Sequence, residues 1–304
     1  MISSKKHIFV NTLRYTKNRL TLDGIYLIID DSNSHCGITD RLKTAIGLCY
    51  VAQQNGINFK FIHHAGFDMR DFLLPNKIDW AADFSDITRL PWKKRHITYF
   101  PPFTDFPKFK KGIQYICKEY IGKNLIEMTG VQDWQRVWRE LFWDMFKPSP
   151  KVLDALSQMV VPEHYAVVNV RFINALGQME DADYNAPFPK KVQEHIIQSV
   201  LDKIAECESD SDVPIIVYSD SVRFLRIAEE KGYQICDPDG VGHIMNAEIG
   251  DKVNLMTFVY MLQMSKAEKI YSILNLEGLP SNSLYKSQYP RYAAIIGDKP
   301  FIRL

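Results

Sequence analysis

Three stretches in the second half of this 304-residue chain close an apolar run, or open a helix, on groups suited to phosphate and sugar hydroxyls. The first is Tyr165 to Arg171, Tyr-Ala-Val-Val-Asn-Val-Arg, which ends in a guanidinium. The second is Val213 to Tyr218, followed at once by Ser219-Asp220-Ser221. The third is Ser287-Gln288-Tyr289-Pro290-Arg291, where the last helix is expected to start. An arginine offers a planar fork to a phosphate. An aspartate accepts from ribose hydroxyls or base amino groups, and a serine at a helix N-terminus joins the backbone N–H groups that hold an anion. Each residue also has a plainer use. Arg171 can pair with a neighbouring carboxylate or reach solvent, and Ser219, Ser221 and Ser287 are all sensible helix caps. The set, placed at equivalent sheet positions, is what points to a nucleotide.

Those positions follow from the elements around them. The run at 165–171 lies between Pro162 and a polar loop and reads as a buried strand of a parallel sheet. Ligands of open α/β sheets bind outside the carboxyl ends of such strands. Further strands are expected over 213–218, 233–236 and 268–273, alternating with helices over 190–207, 221–231 and 252–264. That alternation implies right-handed crossovers and a doubly wound parallel sheet. In the first half, the apolar run Ile25 to Ile29, a polar loop and a helix ending at Asn55-Gly56 lead to a strand over 58–62, a βαβ unit. Its loop over 31–41 lacks both GxGxxG and GxxxxGK[ST]. Gly37 can still let backbone N–H groups meet an anion or a sugar hydroxyl.

Residues 63–150 are rich in aromatics and prolines, which either pack under loops or wall a sugar site. Near 129–146 the spacing of Trp134, Val137, Trp138, Leu141, Phe142 and Met145 predicts a helix with a core-facing stripe. Pro148-Ser149-Pro150 ends it, a helix over 151–159 follows, and the chain divides into domains 1–150 and 151–304.

The charge is nearly balanced, 37 basic against 36 acidic residues for a net +1, so a nucleic-acid partner is not expected. Five dispersed cysteines, Cys36, Cys49, Cys117, Cys207 and Cys236, form neither CxxC pairs nor a His/Cys cluster, which argues against disulfides and a structural zinc and fits a reducing cytoplasm. No stretch has the length of a signal-peptide core or a membrane span, so a cytoplasmic protein is expected, with peripheral membrane contact left open.

The half from Ala166 onward resembles the fucosyltransferase superfamily of α1,6-, nodulation and protein O-fucosyltransferases, bacterial glycosyltransferases among them. Val168-Asn169-Val170-Arg171-Phe172 is similar to its HxR strand, and Tyr218-Ser219-Asp220-Ser221 to its S/T-D-D/S strand end. Ser287-Gln288-Tyr289-Pro290-Arg291-Tyr292-Ala293-Ala294 is similar to its Ser-x-x-x-Arg helix start. Gly37-Ile38-Thr39-Asp40-Arg41-Leu42 is similar to the Gly-x-x-Asp-Arg-Leu loop of the N-terminal domain. Three positions depart from the pattern: Asn169 stands for a His, Ile173-Asn174 for Gly-Asp, and Tyr260 for an acid expected at the start of the helix before Ser265.

The resemblance implies a GT-B fold, two Rossmann-like doubly wound domains facing a cleft. It implies an inverting transferase that needs no metal and no bound cofactor, taking fucose from GDP-fucose to a glycan acceptor in surface-polysaccharide synthesis. Arg171 would contact the diphosphate, with Ser219, Asp220, Ser221, His243, Ser287, Gln288 and Arg291 around the donor. His35, Gly37, Asp40 and Arg41 would form the acceptor-side loop. A carboxylate or imidazole must take the acceptor proton, for which Asp40, His35 and the acids Glu180, Asp181 and Asp183 are the candidates. A different GDP- or UDP-sugar, or an inactive relative that only binds a nucleotide-sugar, are the alternatives. An arginine at 171 buried in a salt bridge would favour the last.

Overall fold

The computed structural model describes residues 24–30, 37–87, 96–98, 109, 113–118, 124–177, 186–240, 251–280 and 282–304. The chain forms two compact units, Met1–Ser149 and Pro150–Leu304.

In the first unit, β1 (Gly24–Ile29) is buried along its whole length, as a strand covered on both faces must be. Gly24 lies at φ 147°, and a side chain there would come within 2.2 Å of the Asn58 carbonyl oxygen, so the start of the strand accepts only glycine. Helix α1 (Ile38–Gln54) follows, ended by Asn55 and by Gly56 at φ 60°, and leads into β2 (Asn58–His63). β3 is Leu73–Pro75, β4 His96–Thr98 and β5 Gln114–Cys117. After them come α2 (Leu125–Met128), α3 (Trp134–Met145) and β6 (Phe146–Pro148). The strand order β2-β1-β5-β4 is parallel throughout, and β3 pairs antiparallel with β6 in a small second sheet.

The helix expected near 129–146 forms as α3, beginning at Trp134, and a separate four-residue turn, α2, capped by Asn124, precedes it. Trp138, Leu141, Phe142 and Met145 are its buried stripe. Among the described aromatics of this region, Phe72 and Trp80 are core residues. The Trp80 indole N–H donates to the Met145 carbonyl at 2.7 Å while its ring packs on Phe146. Phe84 stays 48% exposed. Trp92 and the aromatics at 99–106 lie outside the described residues, as do residues 1–23.

The second unit opens with α4 (Pro150–Ser157) and continues with β7 (Ala166–Val170), α5 (Lys190–Ser209), β8 (Ile215–Ser219) and α6 (Val222–Glu230). Then follow β9 (Gln234–Ile235), α7 (Asp251–Met264), β10 (Lys269–Ile273), α8 (Tyr289–Gly297) and β11 (Phe301–Arg303). All five strands are parallel in the order β11-β10-β7-β8-β9. β7, with every residue buried, is central. Each fully buried Val or Ile of such a strand contributes roughly 1.5–3 kcal/mol by leaving water. α6 packs Phe224, Leu225 and Ala228 inward, and α7 is buried over nearly all of its last turns.

The chain runs outward from β7 to β8 and β9, then returns to β10 on the other side. The strand order thus reverses between β7 and β10, the point at which doubly wound sheets bind ligands. No helix among the described residues is long and apolar enough to cross a membrane.

Candidate functional site

Register fixes what meets at that point. Val170 pairs with Ser219 on one side and with Ile273 on the other, so Arg171, Asp220 and the segment after Ile273 leave the sheet at one level. The Asp220 carboxylate accepts the backbone N–H of Phe172 through Oδ1 and that of Ile173 through Oδ2, both at 2.8 Å. This double grip holds Ile173 at φ 52°, a left-handed conformation that a β-branched residue adopts only when its surroundings impose it. Oδ2 also lies 3.6 Å from Arg171 Nε. On the other side, Tyr285 donates its backbone N–H to the Arg171 carbonyl at 2.7 Å, and its ring centre lies 5.1 Å from the guanidinium carbon. The Arg171 side chain remains 25% exposed. Burial pushes the Asp220 carboxyl above the usual carboxylate range, against the opposing pull of Arg171 and the two amides.

The serines of the set hold local backbone. Ser219 Oγ accepts from Ser221 N at 3.1 Å, and Ser221 caps α6 by accepting from Phe224 N at 3.2 Å. Ser287 lies just ahead of α8 rather than in it: its hydroxyl accepts from Tyr289 N at 3.2 Å, and Gln288 is the cap residue. Arg291, in the first turn of α8, is close enough to Arg303 at the end of β11 that Arg303 is lowered from its ordinary value, by burial first and by the Arg291 charge second. Asn169 is buried two residues before Arg171, on the same side of the strand. The helix before Ser265 is described from Asp251, and Tyr260 lies well inside it. The Tyr260 hydroxyl donates to the Asp237 carbonyl at 2.7 Å. His243, Glu180, Asp181 and Asp183 lie outside the described residues.

In the first unit, Gly37 caps α1 with φ −57°, no side-chain cap and open space beside its Cα among the described residues. Asp40 pairs with the buried ammonium of Lys43 at 2.5 Å. Arg41 is 1% exposed: one guanidinium nitrogen contacts His63 Nε2 at 2.9 Å and the Ala65 carbonyl at 3.1 Å, and Phe67 lies 5.7 Å off its face. Because arginine only donates, His63 Nε2 is the acceptor. The Nδ1–H therefore faces the Phe67 carbonyl at 3.0 Å, which fixes a neutral tautomer. His35 lies outside the described residues.

Beside Arg41, the carboxyl end of β2 carries a charged group that the residue pattern did not disclose. Asp68 takes a bidentate contact from Arg70, which also reaches Asp83 at 3.1 Å, and His64 lies 3.8 Å away. Burial raises the Asp68 carboxyl, but the Arg70 bonds outweigh it and leave it lowered. Among the described residues no group of three or more His, Cys, Asp or Glu is placed to hold a metal.

Tyr285 and His63 were the other residues missed. Their importance comes from partners distant in sequence, which no local motif announces.

Two doubly wound α/β units in one chain are the GT-B class of fold, and the solved structures that match confirm that class. No family model matches the chain, and no curated protein matches it. The NodZ α-1,6-fucosyltransferase soaked with GDP-fucose is 12% identical with a TM-score of 0.58, over 90% of this chain and 92% of that one. The fucosyltransferase NodZ from Bradyrhizobium is 13% identical with a TM-score of 0.57, over 89% and 92%. An Arabidopsis thaliana FUT1 variant in complex with GDP is 12% identical with a TM-score of 0.57, over 96% and 74%. At this identity the likeness shows a shared fold.

Proposed function

We propose that this chain is an inverting glycosyltransferase that moves fucose from GDP-fucose to a glycan acceptor, in the assembly of a surface polysaccharide. The observation that carries the reading is the convergence at the switch point: a partly exposed guanidinium, held from both sides, beside the segment that enters α8. The GDP complex and the GDP-fucose soak among structures of this fold support a guanine nucleotide as the donor's carrier. In the reaction, the acceptor oxygen bonds to the sugar's anomeric carbon from the face opposite the diphosphate. The bond from that carbon to the diphosphate oxygen breaks, its electron pair leaves with GDP, and the acceptor proton passes to a base. Negative charge grows on the diphosphate as that bond lengthens, and a fixed guanidinium stabilises it more than it stabilises the ground state. Arg171 has that part, with Ser219, Asp220, Ser221, Ser287, Gln288 and Arg291 shaping the donor side and Gly37 and Asp40 the acceptor side, while the buried Arg41 supports the fold beside them. No cofactor is assigned to the chain.

Arg171 contacts Asp220 at 3.6 Å yet stays a quarter exposed, which favours a working site over a sealed salt bridge. A thermal-shift panel of GDP, UDP, ADP and CDP tests the reading. GDP at a hundred times its Kd should stabilise the wild type by about 2.7 kcal/mol, and Arg171→Ala should abolish most of that shift. A preference for UDP would transfer the assignment to a UDP-sugar, and the absence of any shift would overturn it.

A further inference from the structure

Resting on the donor-site reading above, we infer that Tyr285 is a positioning residue for Arg171, holding the guanidinium in place for the diphosphate of a nucleotide-sugar. Two independent contacts of one residue converge on Arg171. The Tyr285 N–H binds the Arg171 carbonyl at 2.7 Å, and the Tyr285 ring faces the guanidinium carbon at 5.1 Å. They come from the loop after β10 and act on the residue after β7, so they bridge the strands between which the order of the sheet reverses. Asp220 supplies the opposite jaw, gripping the two amides that follow Arg171 and approaching Nε at 3.6 Å. A guanidinium held over an aromatic ring still has N–H groups directed away from that ring, and those are the groups a phosphate oxygen bonds. The Tyr285 side is 42% exposed, so a ligand can reach the pair from solvent.

Three variants separate the ring from the bulk and from the backbone contact. Tyr285→Phe keeps the aromatic face, Tyr285→Leu keeps bulk and the backbone N–H, and Tyr285→Ala keeps only the N–H. GDP binding by calorimetry should be near wild type for the Phe variant and about tenfold weaker for both Leu and Ala. Melting of the unliganded protein should be little changed, since a half-open side chain carries little of the core. On an Arg171→Ala background, Tyr285→Leu should add no further loss, because its effect passes through the guanidinium. Wild-type affinity in the Leu variant, or an undiminished loss on the Arg171→Ala background, would overturn the inference while leaving the GDP site standing. Failure of the wild type itself to bind GDP would instead remove the reading on which it rests.

Discussion

Arg41 and Arg171 stand at the same kind of place, beyond the carboxyl edge of a parallel sheet with an aromatic ring beside the guanidinium, and they differ in what surrounds them. Arg41 is 1% exposed and bonds to a neutral histidine and a backbone carbonyl. Arg171 is a quarter exposed, its ionic partner among the described residues is a carboxylate at 3.6 Å, and its neighbours bind its carbonyl and the two amides that follow it. The first arginine is consumed in holding the turn after β2. The second is held in turn by its loop and stays partly open to solvent. A motif reader assigns both to a ligand, whereas burial and partner chemistry assign one to architecture.

The largest expected effect breaks the comparison directly. Arg41→Ala removes the donor that His63 Nε2 and the Ala65 carbonyl share, both on buried residues, so about 3 kcal/mol of stability should disappear. That corresponds to a fall in Tm of roughly 6–12 °C in a calorimetric scan, while the GDP shift of the folded protein survives. A loss of GDP binding at unchanged stability would place Arg41 with Arg171 instead.

A smaller effect sharpens the contrast between a neutral and an ionisable partner. The folded pKa of Asp220 is raised by burial above its unfolded value, so the folded state holds the proton more tightly. The stability this group contributes is present below the unfolded pKa, about 3.9, and is lost as pH rises through the raised folded pKa. Asp220→Asn removes the titration. Denaturant unfolding of both proteins across that window should therefore show wild type losing ground to the variant with rising pH, by at most ~1.4 kcal/mol per pH unit. A parallel pair of curves would show that Asp220 titrates as an ordinary carboxylate.

The smallest effect concerns Gly37. Its φ of −57° is open to any residue and its surroundings among the described residues leave room for a Cβ, so Gly37→Ala should change stability by less than about 1 kcal/mol. A fall in transfer activity at that unchanged stability would mean that the glycine serves close approach of a ligand.

Much of the second unit was legible because its strands, buried on both faces, appear as plain apolar runs: Ala166–Val170, Ile215–Ser219 and Lys269–Ile273 all lie within a residue or two of their expected bounds. β11, only Phe301–Arg303, escaped notice because three residues at a sheet edge carry no period; β3, β4 and β6 are equally short, and β5 has only four residues, Gln114–Cys117. The ends of β7 and β8 were readable as chemistry, since Arg171 and Asp220 break apolar runs. What could not be read was the direction of their contacts. Asp220 spends both oxygens on the amides of Phe172 and Ile173, and the ring that faces Arg171 comes from Tyr285, two residues before the serine that the motif singles out. The burial of Arg41 was hidden for a related reason: α1 is enclosed on most of its circumference, so its polar residues look like a solvent face in sequence and are not one.

The turn at Phe172 and Ile173 has a kinetic corollary. An arginine side chain free in solvent surrenders up to about 2 kcal/mol of rotamer entropy when a ligand fixes it. Folding has already removed part of that freedom at position 171, through the turn that Asp220 enforces. On the proposed donor-site reading, a nucleotide binding there has less of that freedom to remove, so weakening either jaw should shorten the residence time of the complex more than it slows its formation.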